Sequence, residues 1–392
     1  MSKTRITNGK IITPEEILEG YDLIIDGEKI EKIINRTDAL DTDHVYDAKG
    51  NYVSPGFVDI HQHGGGGSDY MDGTVEAFEA ALNAHVKFGT TSIMPTFTSG
   101  RHDIILRGVE NFKNAVKSKN IKPNVLGLHL EGIYISPEYA GAQDPRNIRV
   151  FNEKEYKEII EAGEGCIKRW SVSPELDGAK EFAEYCLKNG VTLSIAHSSA
   201  EFEKVLEAYE WGFKHITHLY SATSSIIRKK GFRFAGIVEA AYYLDDMNIE
   251  IIADGCHLPD SILKFILKFK DKNRIALITD SLSAAGSVKE GISYIGAKDD
   301  PMEVLIEDGV AKLPSREAFA GSIATGNRLI RTMLGAGASL QDAIMMATIN
   351  PLKQMNFDLK KGKLQEGFDA DICIFDDDID VKNVFVMGEM VV

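Results

Sequence analysis

Residues 56–63 have the sequence Gly-Phe-Val-Asp-Ile-His-Gln-His, and four consecutive glycines follow at positions 64–67. Side chains alternate across a β-strand, so His61 and His63 point to the same side, about 6–7 Å apart along the strand. Two imidazoles at that separation can share a divalent metal ion, and a pair of exposed histidines at a strand edge is the alternative. The glycines allow a loop to approach such a site closely.

Seven more strand-like segments follow, and helical patterns fill most of the gaps between them. The eight predicted strands cover residues 56–63, 91–95, 125–131, 169–174, 191–197, 215–220, 249–254 and 274–280. The helical patterns cover residues 74–88, 102–119, 155–162, 177–189, 200–211 and 259–269. Eight strands, each followed by a crossover, favour an α/β fold with a closed (β/α)8 barrel of the TIM type. An open doubly wound sheet is the alternative, although no Gly-x-Gly-x-x-Gly fingerprint follows the first strand.

Both ends of the chain have a different character, with short strands and tight turns. Residues 6–13, 21–26 and 29–34 are β-rich, with turn dipeptides at Asn8-Gly9 and Asp26-Gly27. Residues 370–375 and 381–392 repeat the pattern. We therefore expect a small β-sandwich domain formed by residues 1–53 plus 365–392, and a barrel domain formed by residues 54–364.

The segment between the eighth strand and the carboxyl-terminal strands is harder to assign. Helical patterns cover residues 322–334 and 340–347, and Asn350-Pro351 is expected to end this helical region. Residues 285–320 have the pattern of turns and short strands. We expect them to extend toward the terminal β domain.

The charge balance limits the partners that this chain can have. The 392 residues carry a formal net charge of -15, and nucleic-acid or membrane binding needs a basic face, so neither partner is expected. The amino terminus lacks the apolar core of a signal peptide, and no segment approaches the length of a membrane span. The four cysteines lie far apart in the sequence, which favours free thiols and a cytoplasmic location. A homodimer is the default expectation for a protein of this size.

Of the ten histidines, six candidates for the site lie on a predicted strand or just beyond one: His61, His63, His129, His197, His218 and His257. In a barrel, the carboxyl ends of the strands meet at one face, where active sites are built. His215 and His218 are three residues apart and cannot face the same side of a strand. We assign His218 to the site because it lies nearer the strand end, and we expect His215 to have a packing or surface role.

The third predicted strand carries an acidic side chain within an apolar run, in the sequence Gly127-Leu-His-Leu-Glu-Gly132. By alternation, His129 and Glu131 share one face of the strand. A glutamate in a barrel interior is costly unless it is paired or bound to a cation, so Glu131 is a predicted metal ligand. His129 lies deeper and is expected to support a ligand rather than bind the metal. A hydrogen bond between buried Glu131 and His129 is the alternative.

The eighth predicted strand ends in a lone carboxylate, Asp280, after an apolar run. This arrangement is typical of a general base beside a metal-bound water, and capping of the following segment is the alternative. After the seventh strand, His257 is expected to lie near a substrate, with Asp254 orienting it or bracing the loop.

A local basic cluster stands out in this acidic protein and consists of Arg228, Lys229, Lys230 and Arg233. Such a cluster can bind a phosphate group through charge and bidentate guanidinium contacts. A solvated loop without a ligand is the alternative.

Several of these segments resemble a known family. Residues 55–63 resemble the first-strand motif of the amidohydrolase superfamily. More narrowly, seven segments resemble N-acetylglucosamine-6-phosphate deacetylases: Gly127-Leu-His-Leu-Glu-Gly132, Gly141-Ala-Gln143, Ala196-His-Ser198, Thr217-His-Leu-Tyr220, Ile252-Ala-Asp-Gly-Cys-His257, Ile278-Thr-Asp280 and Ala320-Gly-Ser322. The resemblance extends over nearly the whole chain, including the β strands at both termini.

The resemblance implies a metal site with one or two divalent ions, of zinc, iron or manganese. It makes Glu131, His197 and His218 the ligands of one catalytic ion. His61 and His63 match family members that hold a second ion, with Glu131 bridging the two.

The resemblance also implies roles around the substrate, an amino-sugar phosphate. Asp280 matches the catalytic acid/base of the family, and His257 matches a histidine that contacts the substrate. At the position of Gln143, some members have a histidine that polarises the substrate carbonyl. We expect Gln143 to contact the substrate here.

The segment after the sixth strand departs from the family pattern. The family commonly has His-Leu-Tyr-Asn-Ala-Met and then Arg-Glu-Pro-Gly, whereas this chain has Ser221 and Ala222 after the His-Leu-Tyr and no Glu-Pro. We expect Ser221 and Ala222 to contact the substrate, and Arg228 and Arg233 are both candidates for the phosphate.

The implied reaction is deacetylation of N-acetylglucosamine-6-phosphate to glucosamine-6-phosphate and acetate. One alternative is a sister amidohydrolase that acts on N-acetylgalactosamine-6-phosphate or on another N-acyl or cyclic amide. A second alternative is a non-enzymatic scaffold that has kept the barrel and lost the chemistry.

Overall fold

The central element of the molecule is a barrel of eight parallel strands. The computed structural model describes residues 2–357 and 360–392. The barrel strands are β1 (Phe57–Gln62), β2 (Thr90–Phe97), β3 (Leu128–Glu131), β4 (Ile167–Val172), β5 (Thr192–Ile195), β6 (Phe213–Ile216), β7 (Asn248–Ile252) and β8 (Ile275–Ile278). Each strand pairs in parallel with the next one in the chain. The (β/α)8 prediction is confirmed, and the doubly wound alternative is wrong.

The gap between β8 and β1 is bridged by backbone hydrogen bonds just beyond the strand ends. Asp280 N donates to His61 O at 2.9 Å, and His63 N donates to Ser281 O at 2.8 Å. These bonds bring the ends of the first and last strands together, and they therefore place His61, His63 and Asp280 at the same rim.

Ten α-helices surround the barrel: α1 (Val75–Val86), α2 (His102–Ala115), α3 (Glu153–Gly163), α4 (Ala179–Lys188), α5 (Phe202–Glu210), α6 (Ile237–Tyr243), α7 (Asp260–Phe269), α8 (Gly326–Gly335), α9 (Leu340–Met346) and α10 (Ile349–Gln354), as far as residues 2–357 and 360–392 show. Short 3-10 helices lie at Tyr70–Asp72, Pro137–Tyr139, Pro145–Asn147 and Lys272–Arg274. The eight predicted helices are all present with shifted ends. Side-chain caps fix some of these ends, as when Thr74 accepts from Ala77 N at the start of α1.

The expectation that Asn350-Pro351 ends the helical region is wrong. A further helix, α10, begins at Ile349 and contains both residues. Proline is tolerated there because the first-turn N–H groups of a helix have no partner within the helix. Leu352 of α10 packs against Val58 and Ile60, whose side chains alternate with that of His61 along β1.

Strands from both chain ends pair in one sheet, as predicted. That six-stranded sheet runs in the order Glu389–Met390, Val381–Val386, Ile372–Phe375, Tyr52–Pro55, Lys10–Ile12 and Ile17–Leu18. A four-stranded sheet runs in the order Lys29–Asn35, Tyr21–Asp26, Lys3–Thr7 and His44–Asp47. An apolar cluster that includes Ile6, Leu23, Val53 and Ile372 joins the two sheets. The domain limits of 1–53 plus 365–392, and of 54–364, stay a prediction.

Residues 285–320 form a three-stranded antiparallel sheet of Gly291–Ile295, Met302–Glu307 and Val310–Lys312. Its apolar side packs on Leu282 and Ala320, next to the carboxyl end of β8. The expected extension toward the terminal β domain is therefore wrong, because the apolar side chains of this sheet are covered at the mouth of the barrel instead. The remaining short strands are Gly64–Gly65 with Ser68–Asp69, Ile227–Lys229 with Phe232–Phe234, and Asn124–Val125, which pairs with β2.

Candidate active site

Six buried side chains at the carboxyl rim of the barrel form two groups that can each hold a metal ion. One group is His61, His63 and Asp280, and the other is Glu131, His197 and His218. Within each group the potential ligand atoms all lie within 4.8 Å of one another. The structure thus brings together all five predicted metal ligands and the predicted acid/base.

Three of these residues lie just beyond the ends of their strands in a left-handed backbone conformation. The φ angles are 45° at His197, 30° at His218 and 49° at Asp280. Strands β5, β6 and β8 end at residues 195, 216 and 278, so the predicted strands that continued to 197, 220 and 280 are too long. Left-handed conformations cost non-glycine residues of the order of 1–3 kcal/mol and concentrate at functional sites, where they aim a side chain.

The glycine run after β1 fits tightly against its surroundings, as the sequence indicated. A Cβ atom on Gly64 would lie 2.3 Å from Ser68 O, and a Cβ atom on Gly65 would lie 2.6 Å from His85 Nε2. Side chains at these positions would separate the loop from the rim that carries His61 and His63.

Glu131 lies between the two groups and faces both of them. Its Oε1 atom is 3.0 Å from His197 Nε2 and 2.8 Å from His218 Nε2. Its Oε2 atom is 3.3 Å from His63 Nε2. Burial alone raises the pKa of Glu131, but the imidazoles of His61 and His197 beside it outweigh burial and hold that pKa well below its usual range. Glu131 is therefore an ionised carboxylate that lies between the two groups.

The arrangement of the imidazole nitrogens fits metal ions. The Nδ1 atoms of His63, His197 and His218 lie 3.2, 2.8 and 3.1 Å from the backbone oxygens of Thr96, Tyr139 and Ser221. Carbonyl oxygens accept hydrogen bonds, so each Nδ1 carries a proton, and the Nε2 atom that faces a carboxylate is the nitrogen available to a metal ion.

An imidazole nitrogen and a carboxylate that face each other in a buried site need a cation between them, either a proton or a metal ion. Nε2 of His61 is buried and has no hydrogen-bond partner among the described residues. Histidine and carboxylate ligands around such a position suit zinc, iron and manganese. The donor set therefore fits the divalent cofactor that the sequence implied.

Asp280 directs its carboxylate into the first group rather than onto a helix end. Its Oδ1 atom lies 3.0 Å from His63 Nε2 and 3.5 Å from His61 Nε2. Ser322 N donates to Asp280 O at 2.8 Å and holds the strand end in place. Burial raises the pKa of Asp280, but the contact with His63 outweighs burial and lowers that pKa below its ordinary value. An ionised carboxylate at this position can accept a proton.

His129 lies outside both metal-binding groups, and its hydrogen bonds go to hydroxyl groups. Its Nδ1 atom lies 3.1 Å from Thr96 Oγ1, and its Nε2 atom lies 2.7 Å from Ser171 Oγ. The alternative of a hydrogen bond between His129 and Glu131 is wrong, because hydroxyl groups on β2 and β4 already occupy both ring nitrogens. The His129 ring instead packs edge-on against the His61 ring, with 4.8 Å between the ring centroids.

A cavity of about 530 Å³ opens at the rim that carries both groups. Its lining includes the predicted substrate contacts Gln143, Ser221, Ala222 and His257. The carboxylate of Asp254 lies 2.8 Å from His257 Nδ1, which confirms that Asp254 orients His257.

Gln143 is held by two hydrogen bonds inside the site. Its Nε2 atom donates to Glu131 Oε2 at 2.8 Å, and Ser99 N donates to its Oε1 atom at 2.7 Å. Gln143 therefore fixes one oxygen of Glu131, a contact that the sequence did not reveal.

Comparison with known proteins agrees with this geometry, since a sequence profile of the amidohydrolase family matches residues 52–391. The chain belongs to the amidohydrolase family. A relative from Bacillus subtilis, N-acetylglucosamine-6-phosphate deacetylase, is 30% identical over 97% of this chain and 95% of its own length. A relative from Escherichia coli O157:H7, N-acetylgalactosamine-6-phosphate deacetylase, is 26% identical over 86% of this chain and 87% of its own length.

Solved structures show the same amidohydrolase architecture along the whole chain. A mutant of N-acetyl-D-glucosamine-6-phosphate deacetylase from Mycobacterium smegmatis, in complex with N-acetyl-D-glucosamine-6-phosphate, has a TM-score of 0.90 at 27% identity and covers 100% of both chains. The Pasteurella multocida N-acetylglucosamine-6-phosphate deacetylase has a TM-score of 0.90 at 26% identity over 99% of both chains. The resemblance predicted from the motifs is confirmed.

The cavity of this amidohydrolase contains residues that the sequence did not single out. They are Thr98, Glu138, Tyr139, Leu282, Ile295, Ala318 and Phe319. Three of them come from residues 285–320, whose place at the mouth was not foreseen. Phe319 packs against His257 with 4.9 Å between the ring centroids.

The basic cluster lies on an exposed hairpin rather than in the cavity. Arg228 and Arg233 face each other across the strand pair of Ile227–Lys229 and Phe232–Phe234, and both side chains are exposed. Among the residues that the structure describes, no lysine or arginine lines the cavity of this chain. The structure therefore does not bring the two phosphate candidates together with the other predicted site residues.

Two further observations bear on the environment of this amidohydrolase. Within residues 2–357 and 360–392, no helix has both the length and the apolar character needed to cross a bilayer. All four cysteines, Cys166, Cys186, Cys256 and Cys373, are free thiols, as the sequence predicted.

Proposed function

We propose that this chain hydrolyses the acetamide group of N-acetylglucosamine-6-phosphate and releases acetate and glucosamine-6-phosphate. One observation carries the proposal: two adjacent metal-binding groups, one of which contains the ionised Asp280, lie at the mouth of a cavity large enough for a sugar phosphate. The full-length similarity to deacetylases of this substrate supports the choice of the acetylated sugar.

We propose that the site holds two divalent ions. Glu131, His197 and His218 would hold one ion, and His61, His63 and Asp280 would hold the other, with Glu131 facing both. When bound, a divalent cation supplies Lewis-acid chemistry that polarises a carbonyl oxygen and lowers the pKa of water. Zinc, iron and manganese remain the candidates for its identity.

The chain's own residues supply proton transfer and orientation. The Asp280 carboxylate would accept the proton of the attacking water and return it to the departing nitrogen, since an amine leaves poorly without a proton. His257, which Asp254 orients, lines the cavity and is positioned to form a hydrogen bond with the substrate. Ser221 and Ala222 line the cavity beside these groups and would contact the sugar.

The second candidate function is deacetylation of N-acetylgalactosamine-6-phosphate. The similarity to an E. coli O157:H7 enzyme of that name supports it, although the identity is lower, 26% against 30%. The two substrates differ in the orientation of one hydroxyl group, so the residues after β6 that line the cavity would decide between them.

We also propose that the enzyme is a cytoplasmic homodimer. Free cysteines support a reducing compartment. The hairpin that carries Arg228 and Arg233 exposes Phe232, with 73% of its surface accessible, and Tyr243 at the end of α6 is 67% exposed. Large apolar patches mark protein contacts, and these side chains are candidates for such a patch. Light scattering of the purified protein measures the mass of the assembly directly.

Acetate release from four compounds tests the function: the 6-phosphates of N-acetylglucosamine and N-acetylgalactosamine, and the two unphosphorylated sugars. We expect phosphate-dependent turnover, with the glucosamine derivative as the better substrate. Elemental analysis of the same preparation measures the ions per chain. Equal turnover with and without the phosphate, or none with any compound, would contradict the proposal.

A further inference from the structure

Beneath the candidate metal groups, the interior of the barrel contains a buried ion pair, Arg169 and Glu250. The exposed fraction is 0% for Arg169, on β4, and 1% for Glu250, on β7. Arg169 Nη1 donates a hydrogen bond to Glu250 Oε1. The other carboxylate oxygen, Oε2, lies 3.3 Å from Nδ1 of His61. The carboxylate therefore connects the guanidinium group to a candidate metal ligand.

His61 differs in this respect from the other three candidate imidazole ligands. The Nδ1 atoms of His63, His197 and His218 each face a neutral backbone carbonyl oxygen. Nδ1 of His61 faces the Glu250 carboxylate, while its Nε2 lies 3.6 Å from Glu131 Oε1 and 3.5 Å from Asp280 Oδ1. A carboxylate behind an imidazole fixes the tautomer and makes the opposite nitrogen a stronger metal ligand.

Arg169 provides the compensation that a buried carboxylate needs. Its Nη2 atom donates to Ser194 Oγ at 2.9 Å and to Thr217 Oγ1 at 3.2 Å, so β4, β5 and the end of β6 together hold the guanidinium group. A buried charge without a partner is costly, and a paired one is tolerated when its hydrogen bonds are satisfied. A charged pair directed at His61 therefore lies where barrel interiors are usually filled by apolar side chains.

We propose that Glu250, balanced by Arg169, is a positioning residue that selectively strengthens the metal site of His61, His63 and Asp280. The carboxylate accepts the Nδ1 proton of His61 in a hydrogen bond and thereby directs the lone pair of Nε2 toward the ion. The site of Glu131, His197 and His218 lacks such support at its imidazoles within the described residues. The inference rests on the two-ion site of the proposed function and concerns the affinity of one of its ions.

A metal titration of the purified full-length chain tests this role without any substrate. The metal-free protein is titrated with Co²⁺, whose visible absorption and bound stoichiometry are followed for the parent and two variants. Glu250→Gln keeps the shape and removes the charge. The double variant Arg169→Met with Glu250→Met removes both charges, so that no guanidinium group is left unpaired in the barrel.

We expect about 10- to 100-fold weaker binding of one Co²⁺ ion in both variants, since supporting partners of metal ligands have effects of that size. Binding of the other ion should change by less than about threefold, because its ligands keep their contacts. Ser194→Ala is the matched control, because it removes one hydrogen bond to Arg169 and leaves the ion pair. It should bind both ions as the parent does.

Three results would overturn the inference. They are a folded double variant that binds both ions as tightly as the parent, equal weakening of both ions, and a parent chain that binds a single ion. Thermal unfolding of each metal-free variant shows whether it is folded. Absence of acetate release by the parent would contradict the proposed substrate instead, and the Co²⁺ titration would still decide the role of Glu250.

Discussion

Asp280 is the residue on which the proposed proton transfers depend. Its ionised carboxylate lies at the rim of the cavity and contacts His63. We expect Asp280→Asn to lower kcat about 10²–10⁴-fold, because an amide cannot accept the proton and general acid–base catalysis is typically worth that factor. The ion of the Glu131 group should stay bound. Acetate release and elemental analysis of the same sample measure both effects, and near-normal turnover would refute the assignment of Asp280.

Gln143 provides the second prediction at this scale. It holds one oxygen of Glu131 and is itself held by Ser99 N. Gln143→Met keeps the length of the side chain but removes both hydrogen bonds, so we expect metal affinity to fall about 10- to 100-fold. Competition with a chelator measures that affinity. Gln365→Met, at an exposed position, is the control. Unchanged affinity in Gln143→Met would show that Glu131 needs no such support.

The alternation of side chains along a strand was enough to predict part of the site. It placed His61, His63 and Glu131 on inward faces without any structure. The same argument applied to Glu250, a lone acid within the otherwise apolar run 249–252, would have placed it inside the barrel as well. Alternation could not predict the ion-pair partner of Glu250, because the sequence of one strand does not show that Arg169, on another strand, lies opposite. The His129 contacts were missed for the same reason, since their hydroxyl partners belong to neighbouring strands.

At the scale of elements, the alternation of side chains in the sequence did not predict where the strands end. His197, His218 and Asp280 fit the alternating pattern well enough to be counted as strand residues. In the structure each adopts a positive φ angle that non-glycine residues seldom take, and each of the three strands ends two residues before it. Tertiary contacts stabilise these conformations, as when Ser322 N binds Asp280 O. Local sequence patterns carry no signal for such contacts.

The three-stranded sheet of residues 285–320 leads to a prediction about substrate binding. The segment after it brings Phe319 against His257 at the cavity wall. Phe319→Ala should raise KM about 2- to 10-fold and leave kcat nearly unchanged, because an aromatic contact is worth roughly 0.5–1.5 kcal/mol and Phe319 touches no reacting group. Steady-state kinetics separate the two constants. Tyr294→Ala, on the same sheet and 52% exposed, is the control. A fall in kcat at constant KM would contradict this role.

At the scale of the whole molecule, the regular alternation of strands and helices predicted the barrel, and the two β-rich termini predicted a shared sheet. Both predictions rest on patterns that recur many times along the chain. The sheet of residues 285–320 has no such repeated pattern. From the sequence alone, its apolar side chains are compatible with several packing positions. Its position at the mouth depends on the shape of the rim around Leu282 and Ala320, which exists only in the folded barrel.

The stability of the whole fold should depend on pH through His215. Burial, with a further contribution from Arg169 and Arg274, lowers the pKa of His215 to about 3. An unfolded histidine has a pKa of about 6.5. Below that pH the unfolded chain takes up a proton that the folded chain does not, so this group reduces stability as pH falls from about 6.5 toward 3.

Replacing His215 with leucine removes this proton linkage from the folding equilibrium. Between pH 7 and pH 5, the parent should lose about 2 kcal/mol more of its free energy of unfolding than His215→Leu, given about 1.4 kcal/mol per pH unit for one proton. Urea unfolding at the two pH values measures the difference, with His44→Leu, at an exposed position, as the control. If the free energy of unfolding fell equally in the parent and in His215→Leu, His215 would have to be protonated inside the barrel. The positive charges of His215 and Arg169 would then need a further counterion.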